Sequence, residues 1–272
     1  MTGLKDAKPI AGGTDLLLEL RSGASNLCDL VDLGLLRELN YIREENGRIY
    51  IGAMTTHGKI AASQLLQSKA AVLSEAAHLV GSVQIRNLAT VGGNLCNASP
   101  GADTATPLLV LGAEAAIASK GKTRNIPLEE LFAGPGETIL LPDELLTGVS
   151  FPVPSKGSGG SFLKIGRRKG CTLSLINAAA YVAVKEGVCT EARVAVGACA
   201  PTPWRIKDVE AMIQGNAIDD NLIEKVSSAC YGLVQPSKRA HTRASEGYRR
   251  DLSCVLIRRV LYEALDRAGR NL

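Results

Sequence analysis

The chain has 272 residues, of which 46% are hydrophobic and 21% charged, and this composition is typical of a globular protein rather than a disordered or fibrous one. Aromatic residues make up only 4% and the net charge is only +4, which argues against a protein that stacks single-stranded nucleic acid on aromatic side chains. The sequence shows neither a signal peptide nor an apolar stretch long enough to span a membrane. We therefore expect a cytoplasmic protein that binds no nucleic acid and has no membrane span.

The seven cysteines and three histidines have no spacing typical of a metal site or a disulfide framework. No two cysteines form a C-x-x-C pair, so we interpret them as reduced, mostly buried thiols of a cytosolic protein. The histidines are His57, His78 and His241, and we predict that they fill surface or core positions. The sequence therefore predicts no metal ion in this chain.

Strands and helices alternate through the first third of the chain. The pattern predicts a strand at 8–10, a glycine turn at 12–13 and then a helix. Strands are predicted next at 27–33 and 48–56, with a turn at 45–47 before the second. A helical stretch follows at 57–81. Thr55 or Thr56 is the expected N-cap of that stretch.

The middle of the chain has a long segment without helical or strand period, at residues 84–106. It is rich in small residues, Asn, Gly and Pro, so we predict mostly loop there, and loops of this length in compact domains are usually functional. Residues 108–132 are interpreted as two strands, a turn and a short helix, and a further strand ends near Pro154. Pro, Gly and Ser then cluster, and we place a domain linker near 154–161.

The last third begins with a predicted antiparallel hairpin, whose two alternating arms meet at Glu186-Gly187. The remainder has helical patterns, and the last helix has an apolar stripe. A basic stretch at 238–259 is compatible with a docking face for a partner subunit and equally with a solvated helix face.

Two glycine-centred stretches, AGGTD at 11–15 and ATVGGN at 89–94, are the strongest candidates for a binding site. Glycine has no Cβ, so backbone N–H groups in such turns can approach a phosphate closely. Together the two stretches point to a diphosphate clamp, whereas each alone is more often an ordinary turn. Neither matches the G-x-G-x-x-G or P-loop patterns, which disfavours Rossmann and kinase interpretations.

Six motifs occur in one order over nearly the whole chain: PIAGGTDLL at 9–17, IGAMTT at 51–56, QIRNLATVGGNLCNASPGADT at 84–104, LPDELLTGVSFPVP at 141–154, FLKIGRRKG at 162–170 and RASEGYRR at 243–250. In this order they resemble the FAD-binding medium subunits of the molybdenum hydroxylases. That family includes the medium chains of xanthine dehydrogenase, aerobic carbon monoxide dehydrogenase and nicotinate dehydrogenase.

The resemblance implies one FAD site in this chain. The implied residues are Pro9, Ile10, Ala11, Gly12, Gly13, Thr14, Asp15, Leu16, Thr90, Gly92, Gly93, Asn94, Asp103, Leu146 and Lys164. The two glycine motifs would hold the pyrophosphate and ribityl chain through backbone amides and a threonine hydroxyl. Asp103 would contact the nucleotide, and Leu146 and Lys164 would lie near the isoalloxazine. An ammonium there would stabilise the reduced ring, although a solvated lysine is the commoner interpretation of Lys164 from sequence alone.

The resemblance also implies an α+β fold. Residues 1–155 would form a FAD-binding domain of the vanillyl-alcohol-oxidase-like (PCMH) type, with two subdomains split near residue 55. Residues 162–272 would form a smaller domain with an antiparallel sheet and helices, as in the CO dehydrogenase flavoprotein.

The implied function is an electron-transfer subunit of an oxidoreductase complex. Substrate would be oxidised at a molybdenum-pterin cofactor on a large partner subunit, and electrons would cross two [2Fe–2S] clusters on a small partner subunit to FAD and then to NAD or another acceptor. No acid, base or nucleophile for catalysis is assigned to this chain.

Two other functions remain open at this stage. One is a stand-alone flavin-dependent reductase of the same flavin fold, which would need substrate-binding and acid residues that we cannot name here. The other is a non-catalytic scaffold that has lost FAD, against which the intact glycine motifs argue. The region around Val80, where eukaryotic relatives place an aromatic side chain on the flavin, is aliphatic here, so the sequence does not identify what stacks on the ring.

Overall fold

The computed structural model describes residues 7–23, 29–168, 170–236 and 244–270. Cys28, His241 and the first residue of the RASEGYRR motif lie outside the described residues, as does the start of the basic stretch predicted at 238–259. The six described cysteines are free thiols, and three of them are buried.

The chain begins with a small parallel unit. It consists of β1 (Ala7–Ile10), α1 (Leu16–Arg21) and β2 (Asp29–Asp32), and the two strands pair in parallel. The glycine turn separates β1 from α1, as the sequence predicts. A short 3-10 turn at Arg37–Leu39 then leads into the main sheet.

The main sheet of the N-terminal domain is antiparallel and five-stranded. Its members are β3 (Ile42–Glu45), β4 (Arg48–Gly52), β5 (Glu114–Ser119), β6 (Lys122–Pro127) and β9 (Leu145–Pro152), in the order β3-β4-β9-β5-β6. A small hairpin of β7 (Phe132–Gly134) and β8 (Glu137–Thr138) lies outside it. The subdomain split predicted near residue 55 would fall between β4 and its partner strand β9 in this sheet.

Short helices connect β4 to β5. They are α2 (His57–Ala62), α3 (Gln64–Lys69), α4 (Ala71–His78), α5 (Val83–Leu88), α6 (Val91–Cys96) and α7 (Ala105–Val110). The predicted cap is confirmed, since the Thr56 side chain accepts from the backbone N–H of Lys59. The helical stretch predicted from residue 57 is three helices, because Ser63 ends α2 and caps α3.

The prediction of a mostly irregular segment at 84–106 is wrong. Most of it is helical, but α5 and α6 have six residues each, which is under two turns and too short for a helical period to show. Ser82 and Thr90 cap them through their side chains. The apolar run that starts at residue 108 belongs to α7 rather than a strand, because α7 is buried on all sides and shows no alternation.

The C-terminal domain has a four-stranded antiparallel sheet backed by helices. The strands are β10 (Ser158–Gly166), β11 (Ser174–Lys185), β12 (Val188–Gly197) and β13 (Trp204–Arg205), and the helices are α8 (Lys207–Ile213), α9 (Asp220–Leu233) and α10 (Glu246–Arg270). The predicted hairpin is confirmed. Glu186 and Gly187 both have positive φ, 52° and 79°, which matches the tight turns preferred by hairpins. β10 begins at Ser158, within the segment predicted as linker.

Strand β11 joins the two domains because both of its faces are buried. Ala179, Tyr181 and Ala183 point into the core of the N-terminal domain. The alternate residues Ala178, Ala180 and Val182 point into the core that β11 shares with the C-terminal helices. This two-sided burial holds the C-terminal sheet against α4 and α7. No helix of the described residues is long and apolar enough to cross a membrane.

Candidate cofactor-binding site

The loop between β1 and α1 presents a run of free backbone donors. The N–H groups of residues 12–15 donate to no acceptor among the described residues. Gly13 has φ +67°, which a residue with a side chain rarely adopts. Successive free amides in such a turn form a concave site that suits an anion. Desolvation, and then the charge of Glu19, raise the pKa of the neighbouring Asp15 carboxyl.

The first glycine motif lies directly against the second. A Cβ placed on Gly12 would be 2.1 Å from the carbonyl oxygen of Leu88 and 3.0 Å from the Cα of Ala89. These two residues immediately precede Thr90, where α6 begins. The structure therefore brings the two glycine stretches together, although 76 positions separate Gly12 from Leu88 in the chain.

The amides of the second motif are already used within the protein. Val91 donates to the carbonyl of Thr55, Gly92 to that of Ala53, and Gly93 to the Thr90 hydroxyl oxygen at 3.1 Å. The expectation that these amides bind phosphate is therefore not supported. The free donors lie in the first motif, whereas the second motif provides backbone against which the first motif packs.

Gly92 and Gly93 lack a side chain for different reasons. A Cβ on buried Gly92 would be 2.6 Å from the Cβ of Ala53, so this glycine serves internal packing. Gly93 is exposed, and a Cβ there would meet only the Thr90 oxygen, at 3.1 Å. The bare Cα of Gly93 thus borders open space. The cradle of free donors at residues 12–15 fits a diphosphate.

His57 supports the junction of the two motifs. Its backbone N–H donates to the carbonyl of Ala89 at 3.0 Å. The imidazole is fully buried, and neither ring nitrogen has a hydrogen-bond partner among the described residues. Burial, and then the charge of Arg86, lower the pKa of His57 to about 4. His57 therefore fills a core position, as predicted, in the neutral form.

Asp103 and Lys164 form a buried ion pair across the domain boundary. The Lys164 ammonium lies 2.5 Å from Oδ2 of Asp103, and their side chains are 8% and 9% exposed. The ammonium also donates to the carbonyls of Leu79 and Thr172, at 3.0 and 3.2 Å. The solvated-lysine interpretation of Lys164 is therefore wrong, and its donors are all used by the protein.

Sequence reasoning missed two residues of this site, Ser174 and Asn177. Both donate to Oδ1 of Asp103, from the Ser174 hydroxyl at 2.6 Å and from the Asn177 amide at 3.1 Å. The available signal was the presence of Ser and Asn in the otherwise apolar start of a buried strand, where polar groups need partners.

Of the remaining predicted site residues, some are linked to Asp103 and its loop and others lie elsewhere in the N-terminal domain. Asn94 is tied to the Asp103 loop, since its Oδ1 accepts from the hydroxyl of Thr104 at 2.8 Å. Pro9 is exposed and Ile10 half-buried at the end of β1. Leu146 is 6% exposed and belongs to the hydrophobic core of the N-terminal domain, where its strand pairs with β5. Among the described residues, no group of His, Cys, Asp and Glu side chains could hold a metal ion.

Two known protein families match consecutive parts of the chain. The FAD binding domain in molybdopterin dehydrogenase matches residues 2–154, which is more than half of the chain. The chain belongs to this family. The CO dehydrogenase flavoprotein C-terminal domain matches residues 161–264 of the same chain. Membership confirms the α+β fold in which a FAD-binding domain precedes a domain with an antiparallel sheet and helices.

Individual members of the molybdopterin dehydrogenase family resemble the chain over almost its whole length. The xanthine dehydrogenase FAD-binding subunit of Escherichia coli O157:H7 is 34% identical over 268 residues, covering 98% of this chain and 91% of the relative. The nicotinate dehydrogenase FAD-subunit of Eubacterium barkeri is 33% identical, covering 96% and 90%. A solved carbon monoxide dehydrogenase from Hydrogenophaga pseudoflava superposes with a TM-score of 0.92 at 27% identity, covering 97% and 91%.

Proposed function

We propose that this chain is the FAD-binding electron-transfer subunit of a molybdenum hydroxylase complex. The observation that carries the proposal is the cradle of free amides at residues 12–15, which lies against the second glycine stretch through the contact of Gly12 with Leu88 and Ala89. The family to which the chain belongs supplies the identity of the ligand. FAD, when bound, accepts and releases electrons singly or in pairs, which lets it connect one-electron and two-electron partners.

The residues of this chain bind and orient the cofactor. The amides of Gly12, Gly13 and Thr14 would donate to pyrophosphate oxygens, and the positive φ of Gly13 turns the backbone toward them. The contact between Gly12 and Leu88 fixes the distance from this loop to α6. The Asp103–Lys164 pair would provide charged groups near the isoalloxazine.

We further propose the partners and the path. A small subunit with two [2Fe–2S] clusters would deliver electrons, a large subunit would hold the molybdenum-pterin cofactor, and NAD or another acceptor would receive the electrons. Family membership supports a carrier role. Domain limits of 1–155 and 162–272 and a cytoplasmic location remain part of this proposal.

Copurification tests the assembly. A tagged chain expressed in its native host should bring down two further polypeptides, with one FAD, four iron atoms and one molybdenum atom per set. A chain that purifies alone with bound FAD and reduces a soluble substrate would favour the stand-alone reductase. A colourless chain that takes up no added FAD would favour the scaffold.

A further inference from the structure

The two oxygens of the Asp103 carboxylate have different hydrogen-bond partners. Oδ1 accepts from Ser174 and Asn177, at 2.6 and 3.1 Å, whereas Oδ2 accepts from Lys164 at 2.5 Å. Ser174 and Asn177 are 4% and 0% exposed. Because both oxygens are held, the carboxylate has one orientation, and this orientation directs Oδ2 at the ammonium.

The orientation of Asn177 is itself fixed. The hydroxyl of Thr106 donates to Oδ1 of Asn177 at 3.2 Å, so the amide nitrogen must face Asp103. The missing side chain of Gly197 leaves room for this amide, since a Cβ there would be 2.4 Å from its oxygen. A chain of hydrogen bonds thus runs from α7 through Asn177 to Asp103.

Lys164, Asn177 and Ser174 lie on paired strands. Lys164 on β10 is the direct cross-strand partner of Asn177 on β11, and Gly166 is that of Ser174. Side chains on paired strands keep their spacing better than side chains on loops. The C-terminal sheet therefore holds both the ammonium and the two donors that bind the same carboxylate.

We propose that Ser174 and Asn177 are positioning residues that set the charge presented to the flavin by the Asp103–Lys164 pair. By donating to Oδ1 they hold the Asp103 carboxylate with Oδ2 directed at Lys164, which offsets the positive charge beside the ring. Without them the carboxylate is free to turn away from Lys164, so the ammonium is less compensated and favours the reduced, anionic flavin. This inference rests on the proposed function.

The test is the ratio of the dissociation constants of oxidised and reduced FAD, measured with the full chain. Ser174→Ala is expected to shift this ratio about tenfold in favour of reduced FAD, equivalent to about 30 mV in the two-electron potential. Ser174→Thr, which keeps the hydroxyl, is expected to restore the wild-type ratio. Thr106→Val, which releases the Asn177 amide, is expected to shift the ratio in the same direction but by less than tenfold. This second variant keeps the test informative if Ser174→Ala does not fold.

Ser253→Ala is the matched control, because Ser253 is also fully buried and its hydroxyl donates to the carbonyl of Arg249 within α10. It should lower the melting temperature without moving the ratio. If Ser174→Ala and Thr106→Val bind FAD with the wild-type ratio and only lose stability, Ser174 and Asn177 have a structural role and the inference is overturned. A wild-type chain that binds no FAD would instead overturn the proposed function.

Discussion

Gly12 packs so closely against Leu88 that a methyl group on Gly12 would lie 2.1 Å from the Leu88 carbonyl oxygen. This contact joins the glycine loop after β1 to the helix pair α5 and α6. It holds the free amides of the first motif against the start of the second motif.

Gly12→Ala should therefore disrupt this junction. The added methyl must displace the backbone of α5, and such overpacking lowers the free energy of unfolding by about 1–3 kcal/mol. FAD affinity should fall as well, because the amide cradle moves away from α6. Urea unfolding and FAD titration measure the two effects. Gly101→Ala is a suitable control, since its Cβ would meet its nearest neighbour at an ordinary 3.6 Å; equal behaviour of the two variants would contradict the proposed junction.

Gly93→Val should abolish FAD binding while the chain still folds. The side chain would project into open space in which a Cβ would meet only the Thr90 oxygen, and under the proposed function FAD occupies that space. Absorbance of bound flavin and the melting temperature without FAD are the measurements. Gly232→Val, at an exposed helical glycine with no atom within 4 Å of its Cβ position, is the control. Normal flavin content in Gly93→Val would mean that the cradle is misplaced.

Lys164→Met should lower the free energy of unfolding by about 3 kcal/mol, because it leaves the buried Asp103 carboxylate without its charged partner. Chemical denaturation at pH 7 measures this loss. Asp103→Asn combined with Lys164→Met should recover much of it, since no unpaired charge remains. Lys59→Met is the control, at an exposed lysine whose ammonium donates to Asn40, and should change stability by less than about 0.5 kcal/mol. Similar losses of stability in Lys164→Met and Lys59→Met would argue against the ion pair.

His57 should make the chain less stable in mild acid. Its pKa is about 4 in the folded chain and 6.5 when unfolded, so the unfolded state binds the proton first as the pH falls below 6.5. Neutral His57 makes its full contribution to the free energy of unfolding above pH 6.5. This contribution is lost progressively as the pH falls from 6.5 to about 4. Between pH 7.5 and 5 the loss is about 2 kcal/mol, at 1.36 kcal/mol per pKa unit.

His57→Leu should remove that part of the pH dependence, as measured by urea unfolding at the two pH values. His78→Leu, at an exposed histidine of α4, should leave it in place. An unchanged pH dependence in His57→Leu would show that the imidazole is not held neutral by burial.

The sequence predicted those elements whose pattern is long or whose turn chemistry is explicit. Examples are the hairpin at Glu186-Gly187 and the Thr56 cap. It failed for α5 and α6, whose six residues are too few for a period and whose helical state depends on side-chain caps and on contacts with Ala53 and Thr55.

The sequence identified candidate residues for the site but could not assign their separate roles. The sequence could not show that Gly92 serves packing and Gly93 borders open space, because this depends on Ala53, which lies far away in the chain. Nor could it place Ser174 and Asn177 at Asp103, since that contact forms only when the two domains pack together.

The most direct measurement of the central claim is an equilibrium titration of the flavin-free chain with FAD, followed by visible absorbance and by circular dichroism of the fold. We predict saturation at one FAD per chain for the wild type and no saturable uptake by Gly93→Val at unchanged circular dichroism. A correctly folded wild-type chain that binds no FAD, or a Gly93→Val chain that binds it as well as the wild type, would contradict the account.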